Sequence, residues 1–129
     1  PDMIAVDTNV LVRLLTGVDP GQTKRSADLF RRENILIPNT ALLETEWVLR
    51  YSYQLSPPAI LAAFQKLLGL PQVTLEDGPA IAEALTRYEA GMDFADALHL
   101  ASGRAAEAFA TFDARLKKRA GTQAKVKLL

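Results

Sequence analysis

The chain has 129 residues, of which 49% are hydrophobic, and this length and composition suit a single domain (residues 1–129) with a packed core. Lys and Arg together number 15, as do Asp and Glu, so a net charge of zero argues against bulk electrostatic capture of nucleic acid. The lack of cysteine excludes disulfides, thiolate metal sites and cysteine nucleophiles, and fits a reducing, cytoplasmic compartment.

Short β-like runs alternate with helical runs along the chain, a pattern typical of the α/β class. The predicted strands cover residues 3–6, 34–37, 72–75, 109–112 and 126–128. The predicted helices cover residues 8–15, 23–32, 40–53, 57–69, 77–89, 94–108 and 114–120.

Residues 38–71 contain two of these helices with no strand between them, so we expect a helical arm within the domain that is suited to an interface. No apolar run approaches the roughly 20 residues that span a bilayer, so no membrane association is expected. Pro1 and Asp2 precede the first methionine and are interpreted as an expression remnant without a function.

Four acidic residues fall where a strand gives way to a helix. Asp7 and Asp113 end the apolar runs at 3–6 and 109–112, Glu44 lies in the first turns of the helix after strand 34–37, and Asp96 lies near the start of the helix that leads to strand 109–112. In a parallel sheet with helical crossovers these positions share one edge. We therefore expect the four carboxylates to meet in one crevice.

A simpler interpretation holds for each acid alone, because Asp and Glu at helix starts cap free amides and complement the helix dipole. Asp113 would cap the helix at 114–120, and Asp93 with Asp96 would form a pair similar to a capping box. Four gathered carboxylates, however, would repel one another unless a cation lay among them. Mg²⁺ or Mn²⁺ is the expected cation, because hard cations prefer oxygen ligands.

The same positions carry a family resemblance. Residues 6–11 (VDTNVL), 43–49 (LETEWVL), 93–99 (DFADALH) and 111–113 (TFD) resemble the successive motifs of PIN-domain nucleases, and most of all those of VapC-type toxins from bacterial toxin–antitoxin pairs. The resemblance covers nearly the whole chain. It implies a three-layer α/β/α sandwich with a mostly parallel central sheet of four to five strands. It also implies a metal-dependent endoribonuclease, a VapB-like antitoxin that inhibits it, and a homodimer.

Within that resemblance Asp7, Glu44, Asp96 and Asp113 are the catalytic acids. Our hypothesis is that Asp7 and Asp96 hold the principal metal ion, while Glu44 and Asp113 act through water or complete a second site when RNA binds. Water attack would leave a 5′ phosphate and a 3′ hydroxyl. The supporting residues that we expect beside these acids are Asn9, Asp93 and Thr111.

Several other side chains have two interpretations. His99, the only histidine, is interpreted as a hydrogen-bonded core residue rather than a general base. Glu46 is expected to point about 200° away from Glu44 around its helix. The basic residues between 115 and 127 suit either RNA phosphates or a solvated face. The aromatic side chains that suit base stacking are Trp47, Tyr51 and Tyr53. Trp47 and Tyr51, however, share an apolar stripe with Leu43, which favours a core or an interface for these two.

Two alternative enzyme classes fit less well. A receiver domain needs paired acids after its first strand, but Asp7 has no acidic neighbour. A haloacid-dehalogenase-like phosphatase needs a second Asp two residues after the first, where this chain has Asn9. The remaining alternative is a catalytically inactive PIN-like module that binds RNA or protein.

Overall fold

Short apolar runs form five strands, and segments with a capping residue or a proline begin most of the helices. The structure is a computed structural model that describes residues 2–129. In chain order the elements are β1 (Met3–Ala5), α1 (Thr8–Thr16), α2 (Pro20–Arg32), β2 (Asn34–Ile37), α3 (Asn39–Tyr51), α4 (Pro57–Leu68), β3 (Val73–Leu75), α5 (Gly78–Glu89), α6 (Phe94–Ser102), β4 (Phe109–Thr111), α7 (Ala114–Ala120) and β5 (Val126–Leu128).

The chain divides into two units, Pro1–Gly78 and Pro79–Leu129. The first unit contains a parallel sheet in the order β1-β2-β3, with Ile4 opposite Ile35 and Ile37 opposite Leu75. Helix α1 packs against α2 and α3, and α4 packs against α3 and β3. The largest fully buried side chains of this unit come from α1, β2, α3 and α4 and are Leu11, Ile35, Ile37, Leu42, Thr45, Glu46, Leu49, Ile60 and Phe64.

The second unit contains the parallel pair β4-β5, with Phe109 opposite Val126 and Thr111 opposite Leu128. Helix α7 packs against both strands. Phe94 is fully buried, and its ring meets that of Tyr88 edge-on with a centroid distance of 5.3 Å. This unit therefore has its own apolar centre.

Local signals explain where most helices begin and end. Asp19 caps α2 and Pro20 occupies its first turn, while Ser56 caps α4 before Pro57. Helix α1 ends at Gly17, whose φ of 66° is the left-handed conformation that a glycine adopts without a steric penalty.

The α/β class and the parallel pairing of the strands are confirmed, as is the strand at 126–128. The extent of the sheet differs from the expectation. Within residues 2–129, β1 to β3 form a three-stranded sheet, whereas β4 and β5 pair with each other, so no sheet of four to five strands is present. The backbone amide of Phe109 donates to the Lys125 carbonyl, and that of Leu129 donates to the Thr111 carbonyl, so hydrogen bonds join the two strands at both ends.

Two helix boundaries differ from the predicted positions by three residues or more, and the others agree within two residues. Helix α6 ends at Ser102 rather than at residue 108, because beyond Gly103 the chain forms turns in which the amides of Arg104 and Ala106 donate to carbonyls three residues earlier. A Cβ atom at Gly103 would lie 3.3 Å from the Phe109 ring, so a residue without a side chain suits this turn. Helix α2 begins three residues before the predicted position, at its Asp19 cap.

The longest described helices, α2 and α3, have 13 residues each, fewer than the roughly 20 that span a bilayer. Across residues 2–129, each helix is too short or too polar to cross a membrane.

Candidate active site

Asp7 lies where β1 ends and α1 begins. The Val6 amide continues the parallel ladder by donating to the Leu36 carbonyl at 3.2 Å, and Asp7 follows in an extended conformation. The Asp7 Oδ1 atom accepts a hydrogen bond from the Val10 amide at 3.2 Å and so caps α1. A carboxylate has about four acceptor positions, so this cap leaves Asp7 with capacity for a further ligand.

Glu44 and Glu46 lie on opposite faces of α3, as predicted. Glu44 is exposed, whereas Glu46 is buried. Helix α3 follows β2, the strand next to β1, and packs against α1. Asp7 and Glu44 therefore belong to the segments that leave the carboxyl ends of two adjacent parallel strands.

Glu46 has a structural role. Its side chain is 2% exposed, and its two carboxylate oxygens accept hydrogen bonds from Arg50 Nε at 2.7 Å and Arg50 Nη2 at 3.2 Å. The hydrogen bond from Arg50 to Glu46 raises the pKa of Arg50 above its ordinary value, although burial opposes the shift. The Arg50 guanidinium carbon also lies 4.7 Å from the centroid of the Tyr51 ring. This pair therefore satisfies the buried carboxylate from within α3 itself.

In the second unit, Asp96 lies in the first turn of α6 beside two other acids. Its backbone amide donates to Asp93 Oδ2 at 3.2 Å, so Asp93 caps the helix. Burial raises the pKa of Asp96 above its ordinary value of 3.8, and the charges of Asp93 and Asp113 raise it further, whereas His99 lowers it. The charges of Asp93 and Asp113 thus both act on the Asp96 carboxyl.

Asp113 caps α7, as the simpler interpretation predicted. Its Oδ1 atom accepts hydrogen bonds from the amides of Arg115 at 2.9 Å and Leu116 at 3.2 Å. The Asp113 amide in turn donates to the Thr111 hydroxyl oxygen at 3.0 Å. Thr111 therefore fixes the backbone of Asp113 at the end of β4.

His99 is exposed, so the interpretation that it is a core residue is wrong. The same helix buries Ala97, Leu98 and Ala101. His99 lies about 100° around the helix from Leu98, which turns it away from that apolar face.

Asn9, one of the expected supporting residues, is exposed at the start of α1 and lines a cleft of about 430 Å³ between α1 and α2. Three arginines also line this cleft: Arg13, Arg25 and Arg32. Arg13 donates to Gln22 Oε1 at 2.7 Å and to the Tyr53 hydroxyl at 3.1 Å. The Tyr53 hydroxyl thus anchors Arg13 in the structure.

Trp47 and Tyr51 are each more than half exposed, so a core role for them is wrong. Their ring centroids lie 4.9 Å apart with an interplanar angle of 40°. Residues 44, 47 and 51 fall on one stripe of a helix. The exposed aromatic pair therefore shares its face of α3 with Glu44.

Sequence reasoning missed a contact of Glu76, the residue that follows β3. Glu76 Oε1 accepts a hydrogen bond from the Asn39 amide at 2.8 Å, which supplies the cap that Pro38 cannot give to α3. The neighbouring strands β2 and β3 end in register, with Ile37 opposite Leu75. The order of the strands would have revealed this contact, but no local motif does.

The donor set fits a hard divalent cation. Across the described residues 2–129, no group of three or more His, Cys, Asp or Glu side chains is arranged to hold a metal ion. Mg²⁺, however, typically uses only one or two carboxylates together with waters and substrate phosphates. The caps of Asp7 and Asp113 both use the Oδ1 atom alone, and Asp96 lies in a field of negative charge that a cation would relieve.

The raised pKa of Asp96 has a consequence for stability. The folded state binds the Asp96 proton more tightly than the unfolded state does. The stabilisation of the folded state by this proton is therefore complete below about pH 4, the ordinary pKa range of an aspartate, and is lost as the pH rises through the folded pKa. We expect Asp96→Asn to raise the melting temperature of the metal-free protein at pH 7 and to have little effect near pH 3.5. Thermal unfolding in EDTA at both pH values checks this. A change in melting temperature that is equal at the two pH values, or larger near pH 3.5, would contradict the effect of burial and of the two neighbouring charges on Asp96.

Comparison with known families gives a match over most of the chain. The family model described as PIN domain matches residues 4–122, which is most of the chain and includes all four predicted acids. A comparison with curated proteins found no significant match, and neither did a comparison with solved structures.

Proposed function

The chain belongs to the PIN-domain family, which is typically a nuclease fold, and on this premise we propose that it is a metal-dependent endoribonuclease. We propose Asp7, Glu44, Asp96 and Asp113 as its catalytic acids. The observation that carries the proposal is the placement of Asp96, whose carboxyl is half-buried and subject to the charges of Asp93 and Asp113, because a noncatalytic surface has no chemical need to bury one carboxylate near two others.

The proposed roles follow from the local contacts. Asp7 and Asp96 would bind the metal ion, and each is held by a helix start, Asp7 through the Val10 amide and Asp96 through its own amide to Asp93. Asp113 is fixed by its cap, and Glu44 reaches solvent from α3. When bound, Mg²⁺ or Mn²⁺ would supply positive charge for the phosphate and a water of lowered pKa as the nucleophile. The products would be a 5′ phosphate and a 3′ hydroxyl.

Three residues would support these acids. Asp93 orients the first turn of α6 by accepting from the Asp96 amide, and Thr111 orients Asp113 by accepting from its amide. Asn9 adds an exposed amide side chain two residues after Asp7. None of the three needs to bind the metal ion to affect the geometry of those that do.

We further propose that the chain is the VapC-like toxin of a toxin–antitoxin pair, active in the cytoplasm and inhibited by a VapB-like antitoxin. The order of the four sequence motifs supports this. The exposed Trp47 and Tyr51 side chains in the helical arm at 38–71 support a protein interface there, since aromatic residues are enriched in such interfaces. A homodimer through this arm is the arrangement that we propose.

The second candidate is a PIN-like module that binds RNA or protein without cutting. The capping bonds favour it, because Asp7, Asp93 and Asp113 each satisfy the amides of a helix start without any metal ion. Exposed aromatic side chains would suit either bound RNA bases or a bound protein. Only a measurement of catalysis separates this module from the nuclease.

The test is cleavage of a mixed RNA pool by the purified chain with Mg²⁺ or Mn²⁺, and with EDTA. We expect cleavage that requires the divalent ion, because phosphodiester hydrolysis by carboxylates alone lacks a charge to stabilise the transition state. Binding of the ion should be measured on the same preparation by titration calorimetry. A chain that binds RNA but neither binds the ion nor cleaves any RNA would favour the noncatalytic module.

A further inference from the structure

The second unit buries an arginine whose charge is incompletely matched. The Arg87 side chain is 8% exposed, and its Nε–H group has no hydrogen-bond acceptor within residues 2–129. Its Nη2 atom lies 3.6 Å from Glu83 Oε1, a distance that gives charge attraction without a hydrogen bond, and Glu83 is 37% exposed. A buried guanidinium with an unsatisfied donor is costly, so the structure favours an additional acceptor at this position.

Arg87 lines a cavity of about 400 Å³ in the same unit. Its other lining residues are Thr86, Ala90, Met92, Arg119 and Gln123. Among the described residues, no Asp or Glu contributes to this lining. Two arginines therefore line one cavity whose wall has no acidic residue.

The second arginine is held in place by the turn after α5. Arg119 Nη1 donates to the Gly91 carbonyl at 2.6 Å, a contact that joins α7 to this turn. Gly91 has a φ of 104°, and a Cβ atom there would lie 3.4 Å from the same Nη1 atom. Glycine at position 91 therefore allows both the turn and the close approach of Arg119. Only one of the Arg119 nitrogens is used in this bond, which leaves its other donors available.

We propose that this cavity binds a phosphate group through Arg87 and Arg119. Two guanidinium groups match the charge and the several acceptor oxygens of a phosphate, and a bound phosphate would satisfy the buried Nε–H of Arg87. A water molecule would satisfy that donor but would add no negative charge to that of Glu83. The volume exceeds that of a phosphate ion and lies in the range of small-ligand pockets, and Ala90 and Met92 give it an apolar wall. A nucleotide or an RNA phosphate therefore suits it.

The proposal does not depend on nuclease activity, because it is tested by binding to the full chain in EDTA. Inorganic phosphate is titrated at constant ionic strength, and affinity is measured by calorimetry and by the rise in melting temperature relative to chloride. Arg119→Gln should weaken phosphate binding by about 10- to 100-fold, as expected for the loss of a charge-assisted hydrogen bond. Arg119 is exposed, so this variant should fold.

Lys118→Gln is the matched control, because it removes one positive charge from the adjacent position of α7 without touching the cavity. It should bind phosphate as the unchanged chain does. Arg87→Lys keeps the charge but removes the guanidinium, and it should weaken binding as Arg119→Gln does. If phosphate raises the melting temperature no more than chloride does, or if Arg119→Gln and Lys118→Gln behave alike, the proposal is wrong.

A second series identifies the source of the phosphate. Asp7→Asn protein in EDTA, which is not expected to cut RNA, is titrated with adenosine 5′-monophosphate and with a short single-stranded RNA that carries or lacks a 5′ phosphate. Stronger binding of the phosphorylated RNA assigns the cavity to an RNA end, equal binding of both RNAs assigns it to the RNA backbone, and preference for the mononucleotide assigns it to a free nucleotide. Each of these assignments requires sensitivity to Arg119→Gln, and binding that is insensitive to it in all cases rejects the site.

Discussion

Asp7→Asn is expected to reduce metal-dependent RNA cleavage by at least about 100-fold, because even groups that only orient a metal ligand typically contribute about 10- to 100-fold. The substitution removes the charge of a proposed metal ligand but preserves its shape. It also preserves the cap of α1, because Asn and Asp are about equally good at this position and either can accept from the Val10 amide. The free energy of unfolding should therefore change by less than about 0.5 kcal/mol, within the range of a neutral surface substitution.

The chain supplies a closely matched control for this variant. Asp19 caps α2 in the same unit, and its Oδ1 atom accepts from the Gln22 amide at 3.0 Å, as Asp7 Oδ1 accepts from Val10 at 3.2 Å. Asp19→Asn thus makes the same chemical change at an equivalent helix start. Initial cleavage rates of an RNA pool, together with urea unfolding, should show a loss of activity in Asp7→Asn alone. Equal activity in the two variants would mean that Asp7 is only a helix cap.

Glu44 and Glu46 extend the same comparison to α3. Because Glu44 is exposed and Glu46 is buried against Arg50, loss of the first carboxylate should affect chemistry and loss of the second should affect folding. Their separation of about 200° around the helix followed from geometry alone. The sequence was therefore sufficient to place Glu44, a proposed catalytic acid, and Glu46, a structural acid, on different faces of one helix.

The same helix shows why its apolar face was misjudged. The buried positions are Ala41, Leu42, Thr45, Glu46 and Leu49, which recur at the helical period. Two of them are polar, and each is satisfied locally, Thr45 by the Ala41 carbonyl at 2.7 Å and Glu46 by Arg50. The parallel stripe of Leu43, Trp47 and Tyr51 looks more hydrophobic in the sequence. Because Thr45 and Glu46 lie on the buried face of α3, that face looks less apolar in the sequence than the exposed face does.

His99 was misjudged for a related reason. Its neighbours in sequence, Leu98 and Leu100, are buried, but neighbours along a helix point in different directions. The helical period would have placed His99 away from the face of Ala97 and Ala101. The angular positions of these residues around the helix, and not their order in the sequence, predict that His99 is exposed.

Contacts between distant parts of the chain were beyond the reach of local motifs. The caps at Asp7, Asp19, Ser56, Asp93 and Asp113 depend on residues three or fewer positions away, and those at Asp7, Ser56, Asp93 and Asp113 follow from the sequence. The cap from Glu76 to Asn39 and the bond from Arg119 to Gly91 span 37 and 28 residues. These two long-range bonds depend on strand register and helix packing. The number of strands in each sheet depends on the same long-range arrangement.

The largest effect on stability is expected for Arg50→Met. Glu46 is 1% exposed, and the change would remove the guanidinium that donates to both of its carboxylate oxygens while retaining an apolar chain of similar length. A buried carboxylate that loses its cation typically costs about 3 to 5 kcal/mol, far more than the pair contributes relative to a well-packed apolar replacement. Urea unfolding should show this loss, and RNA cleavage should fall only as the folded fraction falls.

Two further variants determine whether the buried charge is responsible. Lys24→Met breaks an ion pair with Asp28 at 2.9 Å that is also formed at the i,i+4 spacing, but Lys24 is 76% exposed, so its loss should cost less than about 1 kcal/mol. The double variant Glu46→Gln/Arg50→Met removes both charges and should recover part of the stability lost in Arg50→Met. If Arg50→Met costs no more than Lys24→Met, other groups around Glu46 stabilise its charge, and Arg50 is not required for the folding of α3. If Arg50→Met is strongly destabilised and the double variant recovers stability, the buried face of α3 depends on a cation that matches the Glu46 charge. This structural role would then belong to the buried face, apart from the exposed face that carries Glu44.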